Sequence, residues 1–226
     1  MQNTYSKNGL VLDFSNFGIT ETGRTIVRDK SRYGNHGTCY GAKIIQTNEQ
    51  IPVMNFDGNG YVDCGNNESL NITDAITIDA YVNIKLMADQ KIITRVKGAS
   101  WEDRVYQMYV AGEKIQLMFY NGLPGGIIHV MSGAIKTDKW YHVVGTFDSS
   151  YVWLYVNNVK YETLNTMGTL LNDPSIHTRI GTWMGTVCLN GLIDEVRIYN
   201  RALSAEEFRG NMFASKRYHF MRGWKS

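Results

Sequence analysis

The sequence predicts an all-β chain, a β-sandwich or barrel, on three observations. Short segments of period-two alternation recur along its length, each bounded by Gly, Asn, Asp or Ser turn signals. Helical periodicity is almost absent. The composition, with 22 Gly and 14 Tyr against 3 Pro, leans toward strands and tight turns. No linker, low-complexity tract or internal repeat divides the 226 residues, and 43% hydrophobic content is ample for one core.

The first expected strand is Leu10–Phe14. A polar, glycine-rich turn follows at residues 29–38, Asp-Lys-Ser-Arg-Tyr-Gly-Asn-His-Gly-Thr, where Gly34 and Gly37 can take backbone angles closed to other residues. Residues 53–56 and 61–64 read as strands around a glycine-bearing turn. Ile76, Ile78, Ala80, Val82 and Ile84 alternate with Thr77, Asp79, Tyr81 and Asn83, a half-buried strand with Asp79 on its outward face. A strand at 91–96 precedes a hairpin of 106–110 and 115–120. Another strand, 127–131, precedes a second hairpin of 140–147 and 152–156, and a short strand spans 178–181. In the last alternating stretch, Leu192, Val196 and Ile198 share a face with Asp194. That carboxylate is therefore expected to point into an apolar interior, where hydrogen bonds or a cation must satisfy it. Ser204-Ala-Glu-Glu207 is a capping box that opens one short C-terminal helix, with Phe208 and Met212 spaced to pin it to the sandwich.

Composition narrows the partners. A formal charge of +2 argues against nucleic acid bound over the whole body. No apolar run reaches the ~18 residues that a membrane-crossing helix needs, so no membrane insertion is expected. The N-terminus shows no apolar leader, which fits either a chain that matures without secretion or one whose leader is gone. Cys39, Cys64 and Cys188 are odd in number and lack metal-type spacing. They read as buried reduced thiols, or as one disulfide with a spare thiol. From 213 to 226, Lys216, Arg217, Arg222 and Lys225 interleave with Phe213, Tyr218, Phe220 and Trp224. This basic-aromatic tail is either a terminus folded back on the body or a docking arm for a neighbouring subunit.

Seven segments in order carry a resemblance. They are the turn at 29–38, Phe-Asp-Gly-Asn-Gly-Tyr-Val-Asp-Cys-Gly at 56–65, Ile-Thr-Ile-Asp-Ala-Tyr-Val at 76–82, and Trp-Tyr-His-Val-Val-Gly-Thr-Phe-Asp at 140–148. Leu-Tyr-Val-Asn-Asn at 154–158, Ile-Gly-Thr at 180–182 and Gly-Leu-Ile-Asp-Glu-Val-Arg-Ile-Tyr-Asn-Arg-Ala-Leu-Ser at 191–204 complete the set. Together they resemble the laminin-G-like jelly-roll modules of the concanavalin A-like lectin/glucanase superfamily, over about residues 9–212. The resemblance implies one domain over 1–212 followed by the tail. Its architecture would be a two-sheet antiparallel β-sandwich (jelly roll, concanavalin A-like), one sheet concave, closed near the termini.

Function is less fixed, because this fold hosts lectins, glycosidases, adhesion modules and structural domains. The family's hydrolase signature, Glu-x-Asp-x-x-Glu, is missing, as are GxSxG, HExxH and a phosphate loop. No enzyme activity is therefore expected. Related modules often hold calcium where the first and last strands meet. The resemblance thus implies a structural calcium site built from Asp29, Asn35, the carbonyls around Gly37 and Asp194. The alternative is that backbone amides or His36 satisfy Asp194, and the residues alone leave both readings open. Sugar sites pair aromatic faces with polar rims, and Trp101, Tyr120 and Trp183 are the expected contacts. The reading is a non-catalytic recognition or adhesion module, extracellular or on a virion surface, binding glycan or a protein surface. The alternative is a structural assembly component, such as a virion decoration, capsid-surface or tail-associated protein.

Overall fold

The computed structural model describes residues 5–15, 25–47 and 52–221, without the side chains of Trp101 and residues 216–221. Its first strands are β1 (Leu10–Phe14), β2 (Ile26–Val27), β3 (Gly37–Tyr40), β4 (Lys43–Gln46), β5 (Pro52–Asp57) and β6 (Tyr61–Asp63). The middle of the chain forms β7 (Ile76–Ile84), β8 (Gln90–Val96), β9 (Arg104–Ala111), β10 (Lys114–Tyr120), β11 (Ile127–Ala134) and β12 (Trp140–Phe147). Then come β13 (Tyr151–Val156), β14 (Val159–Leu164), β15 (Thr178–Ile180), β16 (Thr182–Trp183), β17 (Val187–Cys188), β18 (Asn190–Tyr199) and helix α1 (Ala205–Met221).

Two eight-stranded antiparallel sheets result. The first runs β14-β13-β12-β7-β18-β5-β4, with β1 also on β18; the second runs β11-β10-β9-β8-β15-β6-β3-β2. Their inner faces meet through Phe14, Phe56, Ile78, Leu117, Phe119 and Ile198, all nearly solvent-free. Two tight hairpins are set by paired left-handed residues: Gly112 and Glu113 (φ 57° and 60°) join β9 to β10, and Asn157 and Asn158 (48° and 70°) join β13 to β14. Gly34 sits at φ 66°, as its turn requires. Gly37 is needed for a different reason. A Cβ there would collide with Val62 Cγ1 and the Phe14 ring, so it is close packing that excludes a side chain.

Three expectations are corrected. First, β7 is buried along its whole length rather than on one face, because α1 and its approach cover the outer face of the first sheet. Leu203 and Phe208 pack there with Leu10, Val144 and Tyr199. Second, the final strand does not alternate without interruption. A bulge falls between Asp194 and Arg197, with Glu195 at φ 53°. Ile193, Val196 and Ile198 enter the core, whereas Asp194 pairs with Tyr81 and Arg197 with Asp79 on the outer face. Asp194 is buried, as expected, but beneath the helix side rather than between the sheets. Third, α1 runs past 212, so the boundary at 213 falls inside a helix. Asn211 and Ser215 extend its buried stripe, bonding Asp79 and Glu195 respectively.

The capping box forms as expected: Ser204 N–H donates to Glu207 Oε2 at 3.0 Å and Glu207 N–H to Ser204 Oγ at 3.3 Å. Cys39, Cys64 and Cys188 are free thiols; Cys64 is buried and the other two are half-buried. Among the described residues no helix is long and apolar enough to cross a membrane. Arg222, Trp224 and Lys225 of the expected docking arm lie outside the described residues.

Candidate functional site

The outer face of the second sheet is where polar and aromatic side chains converge. On β9 and β10, Met108, Val110, Leu117 and Phe119 point into the core, which turns Gln107, Tyr109, Gln116, Met118 and Tyr120 outward. Strand register aligns them in rows. Lys91, Tyr109, Gln116 and Met131 are successive cross-strand neighbours, as are Gln107, Met118 and His129.

The rows are cross-linked. Tyr109 Oη donates to Gln116 Oε1 at 2.9 Å, and His129 Nε2 lies 2.7 Å from the same oxygen. Gln116 Nε2 in turn donates to the Ala111 carbonyl at 2.8 Å, which fixes the amide. Gln107 Nε2 donates to Tyr120 Oη at 3.2 Å. Partial burial lowers the pKa of His129, favouring the neutral imidazole. Burial also raises Tyr109 to about 12, so its hydroxyl remains a donor at physiological pH.

Trp183 hangs over this face from the β16–β17 hairpin. Thr94 Oγ1 donates to the Thr182 carbonyl at 2.8 Å, tying the hairpin to β8, and Gly185 N–H closes it onto Thr182 Oγ1 at 2.9 Å. Two cations lie near the indole: Lys91 Nζ lies 5.6 Å and Arg104 Cζ 5.2 Å from its centroid. The same cations sit 4.4 Å and 5.5 Å from the rings of Tyr109 and Tyr120. Trp183 Nε1 has no hydrogen-bond partner among the described residues.

Of the residues expected to contact sugar, the fold places Tyr120 and Trp183 on one face, linked through Arg104. Tyr120 is only 1% exposed, so it is floor beneath Arg104 and not a stacking surface. Trp101 starts a 3-10 turn, Trp101–Asp103, leading into β9; its side chain lies outside the described residues. Sequence reasoning passed over Tyr109, Gln116, Lys91 and Arg104. The alternation of Gln107 and Tyr109 with Met108 and Val110 was the available signal.

The glycine turn does not fit calcium. Asp29 Oδ1 accepts from the amides of Asp13 and Ser31, each at 2.8 Å. Oδ2 accepts from the Asn35 amide at 2.7 Å and Ser31 Oγ at 2.6 Å. Asn35 Nδ2 donates to the Val11 carbonyl and Ser69 Oγ, and Gly37 pairs with Val27 in a ladder. Asp194 Oδ1 accepts from the Glu195 amide at 2.8 Å. Burial and the neighbouring Glu195 push its pKa well up, against the pull of Arg197 and Lys30. Calcium wants about six to eight oxygens. Both Asp29 oxygens are spent on protein donors, and no group of three or more His, Cys, Asp or Glu among the described residues is placed to hold a metal.

A laminin-G family model, described as Concanavalin A-like lectin/glucanases superfamily, matches residues 56–209. No curated protein matches by sequence. Solved structures match over nearly the whole chain. The binding domain of Paraclostridial Mosquitocidal Protein 1 superposes with a TM-score of 0.67 at 15% identity, over 94% of this chain and 53% of that one. The Botulinum neurotoxin serotype D ligand binding domain, in complex with N-acetylneuraminic acid, gives 0.66 at 15% identity, over 93% and 51%. Domain 4 of AbnA, a GH43 extracellular arabinanase from Geobacillus stearothermophilus, in complex with arabinotriose, gives 0.70 at 15% identity, over 92% of this chain and 100% of the domain. The chain thus spans about half the length of the toxin binding domains it matches. At such identities the likeness is one of fold.

Proposed function

Because this chain belongs to the concanavalin A-like lectin/glucanases superfamily, we propose that it is a non-catalytic recognition module that binds glycan on the outer face of its second sheet. The observation that carries this reading is the setting of Trp183: a half-buried indole held on the sheet face beside Lys91 and Arg104, next to the ordered Tyr109–Gln116–His129 row. A sugar ring stacks its C–H face on the part of the half-buried indole that remains exposed. Tyr109, Gln116 and His129 hold further donors and acceptors in fixed positions, so little order is lost on binding. The full-length match to an arabinanase domain solved with arabinotriose supports an oligosaccharide as the ligand class.

Glycoside hydrolysis calls for two carboxyl groups about 5–9.5 Å apart across the scissile bond. The face presents Tyr, Trp, Gln, His, Lys and Arg, and a carboxylate at its edge, Asp89, is bonded to Lys91 Nζ at 2.6 Å. A glycan array run with the wild type and Trp183→Ala tests the reading. Retention of at least one glycan, lost in a variant with an unchanged melting curve, supports it; silence of the wild type across the array refutes it.

A further inference from the structure

The outer face of the second sheet continues on the other side of the β16–β17 hairpin. On β15, β6 and β3, Ile180, Val62 and Cys39 turn inward, which sends Arg179, Tyr61, Asp63, Thr38 and Tyr40 outward. Thr38, Asp63 and Arg179 are successive cross-strand neighbours, and Tyr40 pairs with Tyr61. The two tyrosine rings stack, with centroids 4.9 Å apart and planes 19° from parallel. Tyr40 is 51% exposed, so much of its ring stays in solvent. Neither hydroxyl is hydrogen-bonded among the described residues.

The polar groups beside this pair are held in place. Asp63 Oδ1 accepts from the Gly65 amide at 2.8 Å and lies 2.9 Å from His177 Nδ1, while Oδ2 accepts from Arg179 Nε at 3.1 Å. That carboxylate is spent within the protein, and it fixes the imidazole. Nε2 of His177, a side chain 38% exposed, keeps no partner among the described residues.

The Trp183 hairpin joins the two halves of the face. Gly181, at φ 83°, turns the chain out of β15, and Trp183 follows two residues later. The hairpin turn then stands against Tyr61: a Cβ on Gly185 would lie 3.6 Å from Tyr61 Cε1. Trp183 therefore has Lys91 and Tyr109 on one side and the tyrosine pair on the other. Strands β3, β6, β15, β8 and β9 are consecutive in the sheet. At ~4.8 Å per strand, the four spacings from Tyr40 to Tyr109 add to roughly 19 Å, about four units of an extended sugar chain.

We infer that Tyr61 and Tyr40 form a second aromatic subsite of the same glycan face, and that the ligand is a linear oligosaccharide lying across the strands from β9 to β3. A single sugar ring covers one aromatic position and leaves the other in water. A chain of repeating units meets both, with the Tyr40 and Tyr61 hydroxyls and His177 Nε2 as its polar contacts at the far end. The inference rests on the reading of the Trp183 face as a glycan site.

The test is a length series followed by NMR titration: arabinobiose against arabinohexaose, and xylobiose against xylohexaose, on the wild type, Tyr40→Ala and Trp183→Ala. At least one hexasaccharide binds at least about tenfold tighter than its disaccharide. It shifts the wild-type amides of β3 and β6 around Tyr40 and Tyr61 as well as those of β9 and β10. Tyr40→Ala removes most of that gain and leaves disaccharide binding unchanged, whereas Trp183→Ala weakens both lengths. Equal affinity at the two lengths, a hexasaccharide gain that survives Tyr40→Ala, or stillness of the β3 and β6 amides overturns the second subsite. If Trp183→Ala still abolishes binding in those cases, the Trp183 reading stands without it. Absence of binding by all four sugars overturns both.

Discussion

Asp79 Oδ1 and His142 Nε2 lie 2.8 Å apart, with side chains 0% and 2% exposed, beneath a helix that begins more than sixty residues downstream of His142. Asn211 Nδ2 on α1 donates to the other Asp79 oxygen at 2.8 Å. One carboxylate therefore joins β7, β12 and the helix. Removing one member of such a buried set strands the others, which costs about 3–5 kcal/mol. Asp79→Ala is expected to lower stability by that order in urea unfolding, with the slope unchanged. A loss below about 1 kcal/mol contradicts the role given to it.

Two buried carboxylates on this face respond to pH in opposite senses. Burial opposes charge on Asp79, but His142, Arg197 and Asn211 outweigh it and hold its pKa below the ordinary value. Its contribution is present above the unfolded pKa of about 3.9 and is lost as pH falls through the folded value. Asp194 is raised instead, by burial and Glu195. Its charged form opposes folding at neutral pH, and protonation relieves that as pH falls. Asp194→Asn is accordingly expected to be neutral or stabilising at pH 7, and Asp79→Asn destabilising. Melting curves of both variants at pH 7 check the contrast; destabilisation of equal size in both sinks it.

Gly37 meets Val62 Cγ1 and the Phe14 ring where a Cβ would stand. Gly37→Ala overpacks the contact between β3, β6 and β1 and is expected to cost about 1–3 kcal/mol. A melting point within error of wild type contradicts the close-packing account.

With both Asp29 oxygens bonded to four protein donors, chelation is expected to withdraw no metal from the glycine turn. Thermal melting in EDTA and in added calcium is expected to give one midpoint. A rise with calcium that Asp29→Asn abolishes would restore calcium to this turn.

Much of the fold is legible because its signals are local. The β7 alternation gives the inner face correctly, β12 matches its expected bounds, and the capping box marks the start of α1. β14 escapes notice because Val159–Leu164 is an edge strand that is polar and largely exposed along its length. The bulge in β18 is invisible because a single non-glycine residue, Glu195, takes φ 53° and reverses the sidedness of what precedes it. The site is legible only in part. Trp183 stands out as a loop aromatic, whereas the burial of Tyr120 depends on Arg104, sixteen positions away and on another strand, and only the folded sheet brings them together.

The Trp183 indole N–H is a direct reporter of the proposed site, because it belongs to the ring that the sugar would cover. A titration with arabinotriose and a panel of neutral oligosaccharides, followed on the indole resonances and assigned through Trp183→Phe, is the decisive measurement. The account predicts that at least one sugar moves the Trp183 signal saturably, together with the amides of β9 and β10 around Tyr109 and Gln116. Saturable binding that leaves this resonance still and shifts residues elsewhere, or no binding by any sugar at millimolar concentration, contradicts it.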